Sequence, residues 1–267
     1  MDAGVGHQLR VDGFKLVGKV CGLLHLPIRT FDTAMTLYLH SLIYSSHKPN
    51  LRALVGASIL LAFKIQDTPK KTRDLATTML ELERAPTPKE VEDLRAAIVF
   101  QEKQILETIA FDFRIDYPHY YVVKISKHLN LDKQVALTAW KATTDAYMTW
   151  APLSQPAHTL ALAAIILSAK LHKVPGLFPL DSTSFASTRS QVNECLYLLL
   201  EFYLKYSGLT SLGESGILTD NPLLETTFDA INAEMKREKP TGSLEGLFLY
   251  DQKLSESGTA EYILFKP

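Results

Sequence analysis

Between Arg52 and Lys64 the only polar side chain is Ser58. Small residues (Ala53, Gly56, Ala57, Ala62) alternate there with large ones (Leu54, Ile59, Leu60, Leu61, Phe63). A helix apolar on nearly all sides belongs in an interior, ringed by other helices that its small residues let come close. The stretch stops at a charged segment, Lys64, Asp67, Pro69, Lys70 and Lys71. Its exposed end reads equally as architecture or as a docking face.

The flanking pattern is helical throughout. After a short Gly-containing start, Phe14, Leu16, Val17, Val20, Leu23 and Leu24 share one helical face. Pro27 opens a second helix carrying Phe31, Ala34, Met35, Tyr38 and Leu42, which His47, Lys48 and Pro49 stop. Asn50 is placed to cap the apolar helix, and a short helix covers Thr72–Leu82. Thr87 and Pro88 have the chemistry of an N-cap and a first helical residue, opening a helix striped by Val91, Leu94, Ile98, Ile105, Leu106 and Ile109. Further helices are predicted from Tyr120 to Leu129, over 134–149, over 157–171, over 190–206 and at Pro222–Lys239. Loops fall at Val174–Gly176 and Pro179, and Thr241–Pro267 is mixed and weakly periodic. No segment alternates with period two, so the class is all-α.

The pattern recurs. TLALAAIILSAKL (159–171) repeats ALVGASILLAFKI (53–65), with Leu54/Leu160, Ala57/Ala163, Ile59/Ile165, Leu61/Leu167 and Lys64/Lys170 identical. Upstream, His25-Leu26 pairs with His128-Leu129 and Thr33-Ala34 with Thr138-Ala139. Two copies of one helical unit, each built about its own buried helix, account for this order.

Composition narrows the function. Apolar residues are 46% and charged residues 21%, with a net charge of −1, the balance of a soluble globular chain with no bulk attraction to nucleic acid or membrane surfaces. The opening MDAGVGHQLR has no apolar signal region, and the longest apolar run falls short of the roughly 20 residues that span a bilayer, so a soluble intracellular chain is expected. Cys21 and Cys195 sit in apolar helical patterns and read as buried free thiols.

Three stretches carry a resemblance. LLAFKIQDTPKKTRDL (60–75), QEKQILETIAFDFRIDYPHYYVVK (101–124) and LPIRTFDTAMTLYLHSL (26–42) resemble the third-helix end, the fifth helix with its inter-repeat linker, and the second helix of transcriptional cyclins of the C/H/K/L/T group. The similarity covers roughly residues 8–207 and lacks the substrate-docking motif of cell-cycle cyclins. The second repeat is most similar to fungal cyclin subunits of kinases that phosphorylate the RNA polymerase II C-terminal domain. The resemblance implies an all-α cyclin fold: a five-helix repeat over 1–113, a second over 114–207, and a helical or irregular extension over 208–267. It implies a non-enzymatic regulatory subunit, acting in transcription elongation, that binds and activates a cyclin-dependent protein kinase catalytic subunit. A third subunit and RNA polymerase II, the latter reached through the kinase, are the further partners it suggests. Localisation would be nuclear, with a cytoplasmic share left open. By motif, the lysine and glutamate that meet the kinase are Lys64 and Glu102, with Ala57 and Ala62 leaving room for a partner helix. Gln66 and Asp67 stand beside them where the family pattern has two glutamates.

Other chemistries lack their residues. There is no phosphate-binding glycine loop, no H-E-x-x-H and no cysteine pair at zinc spacing, so neither metal nor cofactor is expected. His25 and His158 read as core histidines on apolar faces, and His119 and His128 lack a carboxylate pattern for a metal cluster. A transcription-factor-B-like DNA-binding reading of the double repeat wants zinc-ribbon cysteines, which are absent, and a hydrolase wants a His-Asp ligand set. Lys70, Lys71 and Arg73 form a basic cluster read as a solvated cap rather than a nucleic-acid contact. The nearest alternative is a cyclin of the C or L type serving another transcriptional kinase. The Pro222–Lys239 helix could pack on the second repeat or bind a third subunit.

Overall fold

The computed structural model describes residues 3–44, 50–174, 181–214, 216–218 and 222–237. His47, Lys48 and Pro49, the loop at Pro175, Gly176 and Pro179, and the Thr241–Pro267 stretch lie outside the described residues. Among the described residues every regular element is helical: α1 (Ala3–Leu23), α2 (Ile28–Tyr44), α3 (Leu51–Ile65), α4 (Thr72–Glu81), α5 (Pro88–Thr108), α6 (Pro118–His128), α7 (Lys133–Ala146), α8 (Ala151–Ser154), α9 (Ala157–Leu171), α10 (Arg189–Tyr206), α11 (Ser211–Glu214) and α12 (Pro222–Arg237), plus 3₁₀ turns at Ser182–Phe185 and Ser207–Leu209. No described helix is long and apolar enough to cross a membrane.

Helix starts follow local chemistry. Asn50 accepts from the Ala53 amide at 3.2 Å and caps α3. Thr87 and Glu90 form a reciprocal capping box behind Pro88, and Thr188 with Gln191 does the same for α10. The helix ends show the repeat in the backbone. α5 stops at Ala110 (49°), with Phe111 reaching back to Leu106 O, and four helices stop in the same way in matching pairs, α1 and α6 at His25 (52°) and Asn130 (50°), α3 and α9 at Asp67 (50°) and Lys173 (52°). The amide after each reaches back five residues: Leu26 to Cys21 O, Thr68 to Phe63 O, Leu131 to Ser126 O and Val174 to Ala169 O. By this backbone role His25-Leu26 corresponds to Asn130-Leu131, two residues beyond the pairing with His128-Leu129 expected from residue identity. His25 is correspondingly exposed in its cap and is not the core histidine its neighbours suggested. His158 is half-buried, with Nε2 3.1 Å from the Ala186 carbonyl.

α3 is buried from Ala53 to Phe63 and packs chiefly on α2 and α5; α9 is buried from Thr159 to Ala169 and packs on α7, α6 and α10. Two hydrophobic clusters result, one centred on Tyr38, Ile59, Phe63, Met79 and Ile98 and the other on Leu160, Ile165, Leu199 and Tyr203. Between α9 and α10 the described residues form only the Ser182–Phe185 turn where the first repeat has α4. Leu212, Leu218, Leu224 and Ile231 join the second cluster, and Phe228 stacks on Tyr197 with ring centroids 5.2 Å apart. The apolar face of α12 is therefore turned onto α10. Cys21 and Cys195 are buried free thiols.

α1 begins at Ala3, well before the Phe14 expected from periodicity. Its first turns lie along the second repeat, where Val11 packs with Met148 and Phe202 and the His7 ring stacks on Tyr206 at 4.3 Å. Gly13 allows this course past α2, because a Cβ there would sit 2.2 Å from the Tyr38 ring, whose hydroxyl donates to the Leu9 carbonyl at 2.6 Å. Leu23, expected on the inward face, is exposed in the last turn.

Candidate functional site

Lys64 lies in the last turn of α3, where a cation suits the helix dipole. Its ammonium donates to Glu102 Oε1 at 2.5 Å, with side chains 59% and 11% exposed respectively. Glu102 continues the buried stripe of α5 (Val91, Leu94, Ile98, Ile105) one helical step from the core, so its carboxylate is held by the fold while the lysine tip remains in solvent. Val99 (48% exposed) on α5, three residues before Glu102 and on an adjoining side of the helix, adds an exposed apolar side chain, whereas Phe100 (66% exposed), two positions from Glu102, points to the opposite side. Together these offer a cation, a fixed carboxylate and apolar surface for a partner.

Gln66 and Asp67 are occupied by the fold. Asp67 is exposed, and its positive φ terminates α3. Gln66 is the C-cap residue of α3, and its Nε2 donates to Thr33 Oγ1 at 2.9 Å on α2 and to the Tyr117 hydroxyl at 2.5 Å in the inter-repeat linker. The same clasp recurs in the second repeat: His172, the C-cap residue of α9, places Nε2 2.8 Å from Thr138 Oγ1 on α7. Thr30 and Thr68 add a hydroxyl pair at 3.2 Å beside the first clasp.

Ala57 and Ala62 require a correction. Both are 0% exposed, so the close approach they permit is that of this chain's own helices, and no partner can touch them. Gly56 shows the tightness directly: a Cβ there would meet Ile98 side-chain carbons at 2.6 Å. Lys70, Lys71 and Arg73 are exposed at the start of α4. Among the described residues no group of three or more His, Cys, Asp or Glu is arranged to hold a metal.

Two features escaped sequence reasoning. The Gln66–Thr33–Tyr117 clasp joins residues far apart in the chain, so no local spacing announces it. Val99 and Phe100 lie off the buried stripe of α5, a displacement from the 3.6-residue pattern that could have marked them as surface aromatics and aliphatics.

No protein-family model matches the chain. It is 31% identical over 245 residues to the CTD kinase subunit beta of Schizosaccharomyces pombe (strain 972 / ATCC 24843), covering 88% of this chain and 72% of that protein. It is 28% identical over 204 residues to the CTD kinase subunit beta of Saccharomyces cerevisiae (strain ATCC 204508 / S288c), covering 74% and 63%. Its fold is that of a chain in the crystal structure of the yeast RNA Pol II CTD kinase CTDK-1 complex (TM-score 0.77, 22% identity, 96% of this chain and 85% of that one). A viral cyclin from herpesvirus saimiri shares it at TM-score 0.55 and 14% identity, over 77% and 87%. The fold is thus the cyclin fold.

Proposed function

Because this chain belongs to the CTD kinase subunit beta family, we propose that it is the cyclin that binds and activates a cyclin-dependent kinase phosphorylating the RNA polymerase II C-terminal domain. It acts in the nucleus, in transcription elongation, and is not itself an enzyme. The similarity to the fission-yeast subunit over 88% of the chain carries the reading.

The docking face is the exposed end of α3 with the middle of α5. The Lys64 ammonium is bonded to Glu102, which holds it in register, and its solvent side has donors for backbone carbonyls or a carboxylate of the kinase. Such a part-desolvated pair sets orientation and specificity more than affinity. Val99, on the side of α5 next to Glu102, supplies an apolar contact that a charged pair lacks. The chain performs no chemistry; the kinase gains because its own Lys–Glu ion pair and activation loop are held in their active places.

Affinity purification of the tagged chain from its native cell, followed by a kinase assay on a C-terminal-domain peptide, tests this. A co-purifying kinase that phosphorylates the peptide is the expected result, and absence of any associated kinase would overturn it.

A further inference from the structure

The two repeats meet at a buried carboxylate. Asp32 on α2 is 0% exposed, and its oxygens lie 2.8 and 3.0 Å from Nδ1 of His119 in the first turn of α6. His119 Nε2 is 2.9 Å from Thr144 Oγ1 on α7. The same hydroxyl lies 3.1 Å from the Trp140 carbonyl, so the ring is tied to α7 as well as to α2. The Tyr147 hydroxyl, also from the second repeat, bonds the same carboxylate. Burial pushes the Asp32 carboxyl up, and the His119 and Tyr147 contacts oppose that rise.

A second rung lies beside the first. Asp32 is followed by Thr33, and His119 is preceded, across Pro118, by Tyr117; Gln66 donates to both Thr33 and Tyr117. Both rungs therefore join the same two backbone segments, and the second ends two residues from Lys64. Rotation of the second repeat cannot break Asp32–His119 without also pulling Tyr117 from the end of α3. Apolar contacts across the same boundary, such as Phe31 on Tyr147 with centroids 5.7 Å apart, tolerate sliding. A buried, hydrogen-bonded ionisable pair does not, and fixing register is the best-attested role of such groups.

We infer that Asp32, His119 and Gln66 form a positioning lock that sets the second repeat against the end of α3 and so fixes the angle at which Lys64 is presented to the kinase. The docking half of this inference rests on the function proposed above; the lock itself does not.

The test separates the two. In the full-length chain, spin labels on cysteines introduced at Glu81 and Lys133, both exposed, report the distance between repeats, while Cys21 and Cys195 are buried and stay unlabelled. The native chain gives one narrow distance distribution. Asp32→Ala broadens or displaces it while the helical circular dichroism is kept, and Asp32→Asn, which still accepts from Nδ1, restores it. Kinase capture falls roughly tenfold or more in Asp32→Ala and recovers in Asp32→Asn. Should Asp32→Ala not fold, Gln66→Leu at its half-buried site, which removes the donor to Thr33 and Tyr117, carries the same two measurements. An unchanged distribution overturns the lock. A broadened distribution with native capture overturns the positioning role. Native chain that captures no kinase overturns the proposed function and the docking half with it, while the distances still decide the lock.

Discussion

Lys64 Nζ lies 2.5 Å from Glu102 Oε1, joining α3 to α5 with the lysine outermost. The pair belongs to one chain, so exchanging its charges separates internal support from docking. Lys64→Glu alone sets two carboxylates against each other and weakens both. The double exchange Lys64→Glu with Glu102→Lys restores an internal pair of opposite polarity. Because the lysine end is in solvent, this double variant should unfold within about 1 kcal/mol of the native chain in a urea titration. It should nevertheless lose kinase capture, since the partner now meets the wrong charge. Retained capture would make the pair internal support only.

Gly56 marks the closest approach of α3 to its neighbours. A Cβ there would stand 2.6 Å from Ile98 Cδ1 and Cγ1 and 3.2 Å from the Met79 sulfur. Gly56→Ala should destabilise the fold by roughly 1–3 kcal/mol through overpacking, despite the better helix propensity of alanine. A urea midpoint equal to the native value would show that α5 can retreat.

Asp145 ties the chain after α10 to α7. Oδ1 accepts from the Ser211 amide at 2.8 Å, and Oδ2 accepts from the Leu212 amide at 3.2 Å and the Tyr203 hydroxyl at 3.1 Å. Asp145→Ala strands these donors in a buried place, at a cost of about 2 kcal/mol or more. Hydrogen exchange at the Ser211 and Leu212 amides should accelerate, whereas the amides of α3 should keep their relative protection. Unchanged exchange at 211 and 212 would sink this assignment.

His7 makes stability depend on pH. Its pKa is lowered, first by burial against Tyr206 and Phe202 and then by Arg10 and Lys205. Below its unfolded value of about 6.5 the unfolded chain binds more protons than the folded one, so stability rises with pH. The contribution is complete above that value and is lost as pH falls toward the lowered folded one. His7→Phe keeps the ring stacking without the titration. The fall in melting temperature between about pH 7.5 and 5.5 should therefore be smaller in the variant than in the native chain. His40, also lowered chiefly by burial, is present in both chains and cancels in the comparison. An equal fall would remove His7 from the account.

Features set by nearest neighbours were legible in the sequence. α3 and α9 could be read as buried because almost every side is apolar, and Asn50, Thr87 and Pro88 mark helix starts because capping is a matter of three or four adjacent residues. The repeat was visible because both copies solve one packing problem with the same small and large residues. Lys64 and Glu102 could be named by motif, but their contact could not, since it depends on how α3 lies across α5. The burial that removes Ala57 and Ala62 from any outer surface likewise follows from which helices surround them. The long first helix, read only from Phe14, owes its early turns to Phe202 and Tyr206, far along the chain. Asp32 and His119 show the division most clearly. In the sequence each is a lone polar residue without a pattern, because a charge is satisfied by whatever stands within 3 Å, and only the docking of one repeat on the other brings that partner there.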